Sequence, residues 1–329
     1  MTPVYQEPVG LNWGHFTNSE GADIRYASLK PEGEARGRIV LLPGFRESIE
    51  KYFEAAEEFR AKGLEVWMMD WRGQGGSERY LPNPEKAHHE GYDEQIKTLH
   101  QLTQKVIPQD GKPLMMLAHS MGGHLGLRYA QEHPGVFDSL MLTAPMIDIV
   151  TGPLPVTLAR QIAKFAKAGN YLDKYVPGGC DWTESRNQFA GNDKTSDPKR
   201  FQEWVDFCKA GGAGRIGDPT YGWVYHTFKS IDILSDESYL KSIRTPVLMA
   251  TSGKDTIVSV KAQDRAEKLL PNCRRVHIAD AKHEIMHERD ELRKQWMSRV
   301  FDFIDERLAP TAPAIKKPKP HMVARRPKM

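Results

Sequence analysis

Short apolar runs of strand length alternate along this chain with longer stretches whose apolar residues recur every three or four positions. Residues 13 to 30 alternate loosely about Asn18-Ser19-Glu20-Gly21 and predict a hairpin that opens a sheet. Arg38 to Leu42 reads as a buried strand that stops at Pro43-Gly44-Phe45-Arg46-Glu47-Ser48. A helix follows from about Ile49 to Lys62, with Tyr52, Phe53, Ala56 and Phe59 on one face, and Gly63 ends it. Val66 to Met69 reads as a strand, Tyr92 to Val106 as a helix, and Leu114 to Ala118 as the central strand. A helix-like run from His124 to His133 and a strand from Leu140 to Thr143 come next. Residues 146 to about 238 then break the rhythm, with many aromatics and glycines and no clear strand. It resumes as strand (Pro246 to Thr251), helix (Val260 to Leu270), strand (Arg275 to Ile278) and helix (Arg289 to Leu308).

Strands alternating with helices imply an α/β fold, with a mostly parallel central sheet covered by helices on both faces. An insertion of that length after a strand is expected to form a mainly helical cap over the strand ends, where such sheets bind ligands. The expected organisation is one body from 1 to 309, with the cap at about 146–238, and a basic, proline-rich, disordered tail at 310–329.

Composition changes this picture little. The net charge of +3 sits in the tail: Lys316, Lys317, Lys319, Arg325, Arg326 and Lys328 have no acid among them. Without those six, 40 of the 46 basic residues face 43 acidic ones, so the body is nearly neutral and carries no nucleic-acid-binding charge. Three scattered cysteines, Cys180, Cys208 and Cys273, argue against a disulfide framework and for a reducing compartment. With no apolar run of spanning length and no signal core at Met1 to Trp13, a cytoplasmic protein is expected.

The chemistry centres on Ala118-His119-Ser120-Met121-Gly122. A serine between small residues at a strand-to-helix turn is a nucleophile elbow, usually written G-x-S-x-G, here with alanine for the first glycine. Ser120 as a mere helix N-cap is the plainer alternative. A serine hydroxyl needs a base to take its proton and an acid to orient that base. Asp255, in Gly253-Lys254-Asp255, and His283, in Ala281-Lys282-His283, each follow a strand, in the chain order Ser, Asp, His of an α/β-hydrolase. The oxyanion donors are expected to be the backbone N–H groups of Phe45 and Met121. Two competing signals need weighing. Asp70-Trp71-Arg72-Gly73-Gln74-Gly75-Gly76-Ser77 is glycine-rich but lacks the spacing of a phosphate loop, and reads as structural. His283-Glu284-Ile285-Met286-His287 spells H-E-x-x-H, with Glu306 as a conceivable third zinc ligand, but that assignment strands Ser120 and Asp255.

These motifs, with Leu42-Pro43-Gly44-Phe45-Arg46-Glu47-Ser48, resemble those of the monoacylglycerol lipase and bacterial lysophospholipase group of α/β-hydrolases, over most of residues 10 to 308. The resemblance implies a serine hydrolase that cleaves carboxylic esters of single-chain lipids, either a lysophospholipid or a monoacylglycerol, through an acyl-enzyme and without cofactor or metal. It places nucleophile, acid and base on Ser120, Asp255 and His283, and the oxyanion residues on Phe45 and Met121. The alternatives are a small-ester carboxylesterase, an aminopeptidase-like serine hydrolase and a non-catalytic binding relative. Leu158, Ile162, Phe165 and Ala166 recur at helical spacing beside Arg160, Lys164 and Lys167, so this helix either packs on the body or rests on an anionic membrane surface, aided by the cationic tail. Trp182, Trp204 and Trp223 either line an acyl pocket or form the cap's own core.

Overall fold

The apolar run at 114–118 lies in the middle of an eight-stranded sheet, flanked by two strands that are buried throughout. The structure, a computed structural model, describes residues 5–152 and 154–309. The tail and its expected membrane contact lie outside the described residues. In chain order the elements are β1 (Asn12–Thr17), β2 (Asp23–Leu29), β3 (Gly37–Leu42), a 3-10 turn at Ile49–Tyr52 that runs into α1 (Phe53–Ala61), and β4 (Leu64–Met69). Next come α2 (Tyr92–Gln101), which loosens into a π turn at Leu102–Val106, then β5 (Leu114–His119), α3 (Met121–Glu132) and β6 (Ser139–Thr143). Four helices follow: α4 (Val156–Ala168), α5 (Pro198–Lys209), α6 (Tyr221–Leu234) and α7 (Glu237–Ser242). The described elements end with β7 (Val247–Ser252), α8 (Val260–Leu269), β8 (Cys273–Ile278) and α9 (Asp290–Leu308).

The strand order is β1-β2-β4-β3-β5-β6-β7-β8. β1, β2 and β4 pair antiparallel, and every later pairing is parallel. β3 to β7 bury both faces, which is why they read as continuous apolar runs, whereas β1 and β8 at the sheet edges are half-buried or exposed over most of their length. Alternate residues nonetheless serve different layers. Val40, Leu42, Met116, Ala118 and Leu142 pack with α2, α3 and α8 through Ile96, Leu99, Leu125 and Ala266. Ile39, Leu41, Met115, Leu117 and Met141 face α1 and α9 through Phe59, Trp296, Val300 and Phe303.

The segment between β6 and β7 has small cores of its own. Trp182, Phe201, Trp204 and Cys208 cluster around α5, whose start is fixed by Pro198 and by the Asp197 side chain accepting the Lys199 and Arg200 N–H groups. In α4 the buried face is the alanine one, Ala159, Ala163 and Ala166, with Ala159 packed on Phe228 and Ile231 of α6. The sequence expectation grouped Leu158 and Phe165 with Ala166 on a single face. Instead both point outward, at 48% and 75% exposure, because small side chains let α4 and α6 approach closely.

Candidate active site

β5 ends at His119, and the chain turns so tightly that Ser120 adopts φ +49°. A non-glycine residue held there costs on the order of 1–3 kcal/mol, so the surroundings must impose it. They do so through the backbone. The Ser120 N–H donates to the Thr143 carbonyl, and the Ser120 carbonyl accepts from His124 and Met146, each at 3.0 Å. The turn drives α3 against β3, where a Cβ on Gly122 would lie 2.6 Å from the Pro43 oxygen and 2.7 Å from that of Leu42. Glycine is therefore required there. Ala118 is a different matter: it sits inside β5, paired with Leu42 and Leu142, and its methyl is simply core. The departure from G-x-S-x-G thus costs nothing.

Ser120 stands at the N-cap position of α3, but its side chain makes no cap bond. Its Oγ lies 2.9 Å from His283 Nε2, and His283 Nδ1 lies 2.7 Å from Asp255 Oδ2. The structure therefore brings together three residues that are up to 163 positions apart in sequence. Each follows the carboxyl end of a parallel strand: Ser120 after β5, Asp255 after β7, His283 after β8. The other Asp255 oxygen accepts the N–H groups of Ile257 and Val258 at 2.9 and 3.0 Å. Burial pushes the Asp255 pKa up, but the His283 bond and charge and those two N–H donors outweigh it and hold the carboxyl below its usual value.

Phe45 follows β3 and borders the same cavity as Ser120, and among the described residues no hydrogen bond uses its N–H. Met121 opens α3, where the first N–H groups have no helical partner. The loop carrying Phe45 is fixed by residues that sequence reasoning missed. The Glu47 carboxylate accepts the Gly44 N–H at 2.6 Å, the Tyr52 hydroxyl at 2.7 Å and the Lys51 ammonium at 2.7 Å. The Gln74 amide donates to the carbonyls of Gly44 and Glu47 at 2.7 and 2.9 Å. Gly44 packs so closely on the elbow that a Cβ there would lie 2.8 Å from the His119 ring. The glycine-rich loop has the structural role its sequence suggested: Asp70 accepts the N–H groups of Ile49 and Gly76 at 2.9 and 2.8 Å. The i, i+4 pair Glu47 and Lys51, set among Tyr52, Phe53 and Ala56, was the available signal for the buried network.

The H-E-x-x-H motif does not form a regular helix. Ile285–His287 is a single 3-10 turn, His283 faces Ser120 and Asp255, and the His287 Nε2 donates to the Lys51 carbonyl at 2.6 Å. Glu306 pairs with Arg274 at the surface. Glu47, Glu284 and His287 do gather with their ligand atoms within 4.8 Å of one another. The positive charge they need is already supplied: Lys51 Nζ lies 2.7 Å from Glu47 and 2.8 Å from Glu284. Burial pushes both carboxyls up, but Lys51 prevails and holds both below their usual range. The residues present fit an ammonium rather than a metal ion.

A cavity of about 330 Å³ opens beside Ser120 and His283, lined by Trp182 and Trp204 but also by many charged side chains. Trp223 is not among them. It packs on Phe45 with ring centroids 4.1 Å apart and borders a separate small space with Met121. Of the two alternatives for the tryptophans, Trp182 and Trp204 meet both in part, since they belong to the small core around α5 and also line this cavity, whereas Trp223 does neither and packs on Phe45.

Comparison with known proteins fits this geometry. Residues 33–290 match the family described as serine aminopeptidase, S33. The chain belongs to this family of α/β-hydrolases. Within it, the chain is 31% identical over 308 residues to lysophospholipase L2 of Escherichia coli, covering 90% of this chain and 88% of that one. It is 30% identical over 165 residues to a monoacylglycerol lipase of Mycolicibacterium smegmatis, about half of each chain. Among solved structures, a soluble variant of the Saccharomyces cerevisiae monoglyceride lipase with a substrate analogue superposes with a TM-score of 0.72 at 18% identity, over 89% of this chain and 94% of that one. The chain thus falls in the lysophospholipase and monoacylglycerol lipase group, whose members are serine ester hydrolases.

Proposed function

We propose that this chain hydrolyses carboxylic esters of single-chain lipids through an acyl-enzyme on Ser120. The observation that carries the reading is the continuous hydrogen-bonded relay from Ser120 through His283 to Asp255. His283 Nε2 takes the hydroxyl proton as Oγ bonds to the ester carbonyl carbon, and the electron pair of the C=O moves to oxygen. The N–H groups of Phe45 and Met121 receive that oxyanion, one such donor being worth about 10²–10³ in rate. As the carbonyl reforms, the alkoxide leaves with the proton from His283. Water then repeats the route on the acyl-enzyme and releases the fatty acid. Asp255 holds His283 in the tautomer that presents Nε2 to Ser120. The helical segment between β6 and β7 acts as a cap, since it supplies Trp182, Lys194 and Trp204 to the cavity wall.

A fluorophosphonate probe should label Ser120, as read by peptide mass. Across an acyl series from acetyl to palmitoyl, kcat/KM should rise, by up to a few-fold per methylene buried. A flat series would assign the site to small esters. Preference for an aminoacyl anilide would assign it to peptides instead.

A peripheral membrane contact is the finer part of this reading. Among the described residues no helix is long and apolar enough to cross a bilayer. Val150, Leu154, Leu158, Phe165 and Tyr171 are all exposed near one another in sequence at α4, with exposed Lys164 and Lys167 on the same helix. Phe165→Glu should reduce sedimentation with anionic vesicles several-fold at low salt and leave hydrolysis of a water-soluble ester intact. Equal sedimentation of the two proteins would remove α4 from any membrane role.

A further inference from the structure

We infer that the charged part of the cavity beside Ser120 is a subsite for the phosphate of a lipid head group, built from Arg46 and Lys194. The inference rests on the reading of Ser120 as the ester-cleaving nucleophile, and deepens it by choosing between phosphorylated and neutral glycerol esters.

Lys194 is held rigidly beside the catalytic loop. Its carbonyl accepts the N–H of Glu284, the residue after His283, at 2.8 Å, and its own N–H donates to the Asn192 side chain at 3.0 Å. Its side chain borders the cavity together with Ser120 and His283. Yet its ammonium makes no hydrogen bond or ion pair among the described residues. Arg46 borders the same cavity. It sits at φ +62° on the oxyanion loop, donates through Nε to the Ile216 carbonyl at 3.0 Å, and finds its nearest carboxylate, Asp218, at 3.5 Å. That carboxylate is shared: its other oxygen takes Arg186 at 2.6 Å and the Cys180 N–H at 3.1 Å. Of the other cations on the wall, Lys51 is neutralised by Glu47 and Glu284. Five carboxylates and four cations line the cavity, so what Lys194 lacks among the described residues is a direct partner rather than nearby negative charge, and Arg46 has only a shared one.

The electrostatics agree. Burial, and then the charge of Arg46, pull the Lys194 pKa below its usual value, with Glu284 and Asp193 opposing only in part. Burial likewise lowers Arg46 despite Asp218. A half-buried ammonium with no direct hydrogen-bond partner, beside a guanidinium that shares its one carboxylate, is costly unless a ligand supplies acceptors. A lysophospholipid carries a phosphate a few bonds from the ester that Ser120 would attack. A monoacylglycerol offers only hydroxyls there. The remaining acids on the wall, Asp181 and Asp193, are both exposed and suit the amine of a zwitterionic head group at the mouth.

The test compares kcat/KM for palmitoyl lysophosphatidylethanolamine and palmitoyl glycerol in the same neutral detergent micelles. In Lys194→Met the ratio of the first to the second should fall about 10- to 100-fold, the usual worth of a charge-assisted bond, and Lys194→Arg should restore most of it. Inorganic phosphate should inhibit p-nitrophenyl ester hydrolysis competitively, and less so in Lys194→Met. A ratio that does not move, or two substrates that fall together, overturns the subsite. Inhibition by phosphate with an unmoved ratio assigns the cations to free anions rather than to lipid, and also overturns it. If the unmutated protein hydrolyses neither ester, the ester reading falls and the subsite with it. If it hydrolyses both with a ratio insensitive to Lys194, only the subsite falls.

Discussion

Ser120→Ala should lower kcat on a p-nitrophenyl ester by roughly 10⁴- to 10⁶-fold, the range seen when the nucleophile of such a relay is removed. The fold should be indifferent. The bonds that fix the elbow run from the Ser120 N–H to Thr143 and from His124 and Met146 to the Ser120 carbonyl, and alanine keeps all of them. Alanine at φ +49° carries the same strain as serine, so Tm should shift by no more than a degree or two. Ser120→Gly, equally inactive, should relieve that strain and raise Tm. His283→Ala should lose a similar factor, and the double variant should be hardly worse than either, because Ser120 and His283 act as one unit. Activity of Ser120→Ala within tenfold of the original protein would end the mechanism, whatever the distances suggest.

The middle of the sheet was legible because β3 to β7 are buried on both faces and stand out as apolar runs between helical repeats. Their order in space was not, since nothing in the run at 64–69 tells which neighbour it takes. Ser120, Asp255 and His283 were legible as a set because each follows a strand end in a recognisable chain order. The positions of Phe45 after β3 and Met121 at the start of α3 were readable by the same positional logic, because the proposed role of each is a backbone one. What escaped was the support. Glu47, Lys51, Gln74 and Glu284 act through contacts between distant segments, and polar residues in loops look alike until those segments meet. Similarly, Leu158 and Ala159 share a helix, and sequence period alone could not say that the small residue packs while the large one faces outward. The charged wall of the cavity was hidden for another reason: Lys194 and Arg46 lie 148 positions apart in segments without regular periodicity.

Lys51→Met should be the most destabilising of the single changes considered. The Lys51 ammonium bridges Glu47 and Glu284, with all three side chains at 10% exposure or less. Removing it leaves two buried carboxylates without a cation, a loss of about 3–5 kcal/mol for a broken buried pair. For a domain of this size that is a fall in Tm of roughly 5–15 °C. The sign of the pH dependence separates this cause from simple loss of packing. In the unmutated protein Lys51 keeps the folded-state pKa of both carboxyls below 4.5, that of Glu47 at about 2. Their stabilising contribution is therefore present above pH 4.5 and is lost only as pH falls toward 2. In the variant, burial and mutual repulsion should raise both values above 4.5, so the folded state holds protons that the unfolded chain has released. Its deficit then grows with rising pH, and the gap in Tm between the two proteins should narrow as pH is lowered from about 8 to about 5. A gap of constant size would show that Lys51 matters for its volume, not its charge. Activity should fall as well, because Glu47 also holds the Gly44 N–H beside Phe45, and a carboxylate in search of a proton no longer fixes the donor proposed to meet the oxyanion.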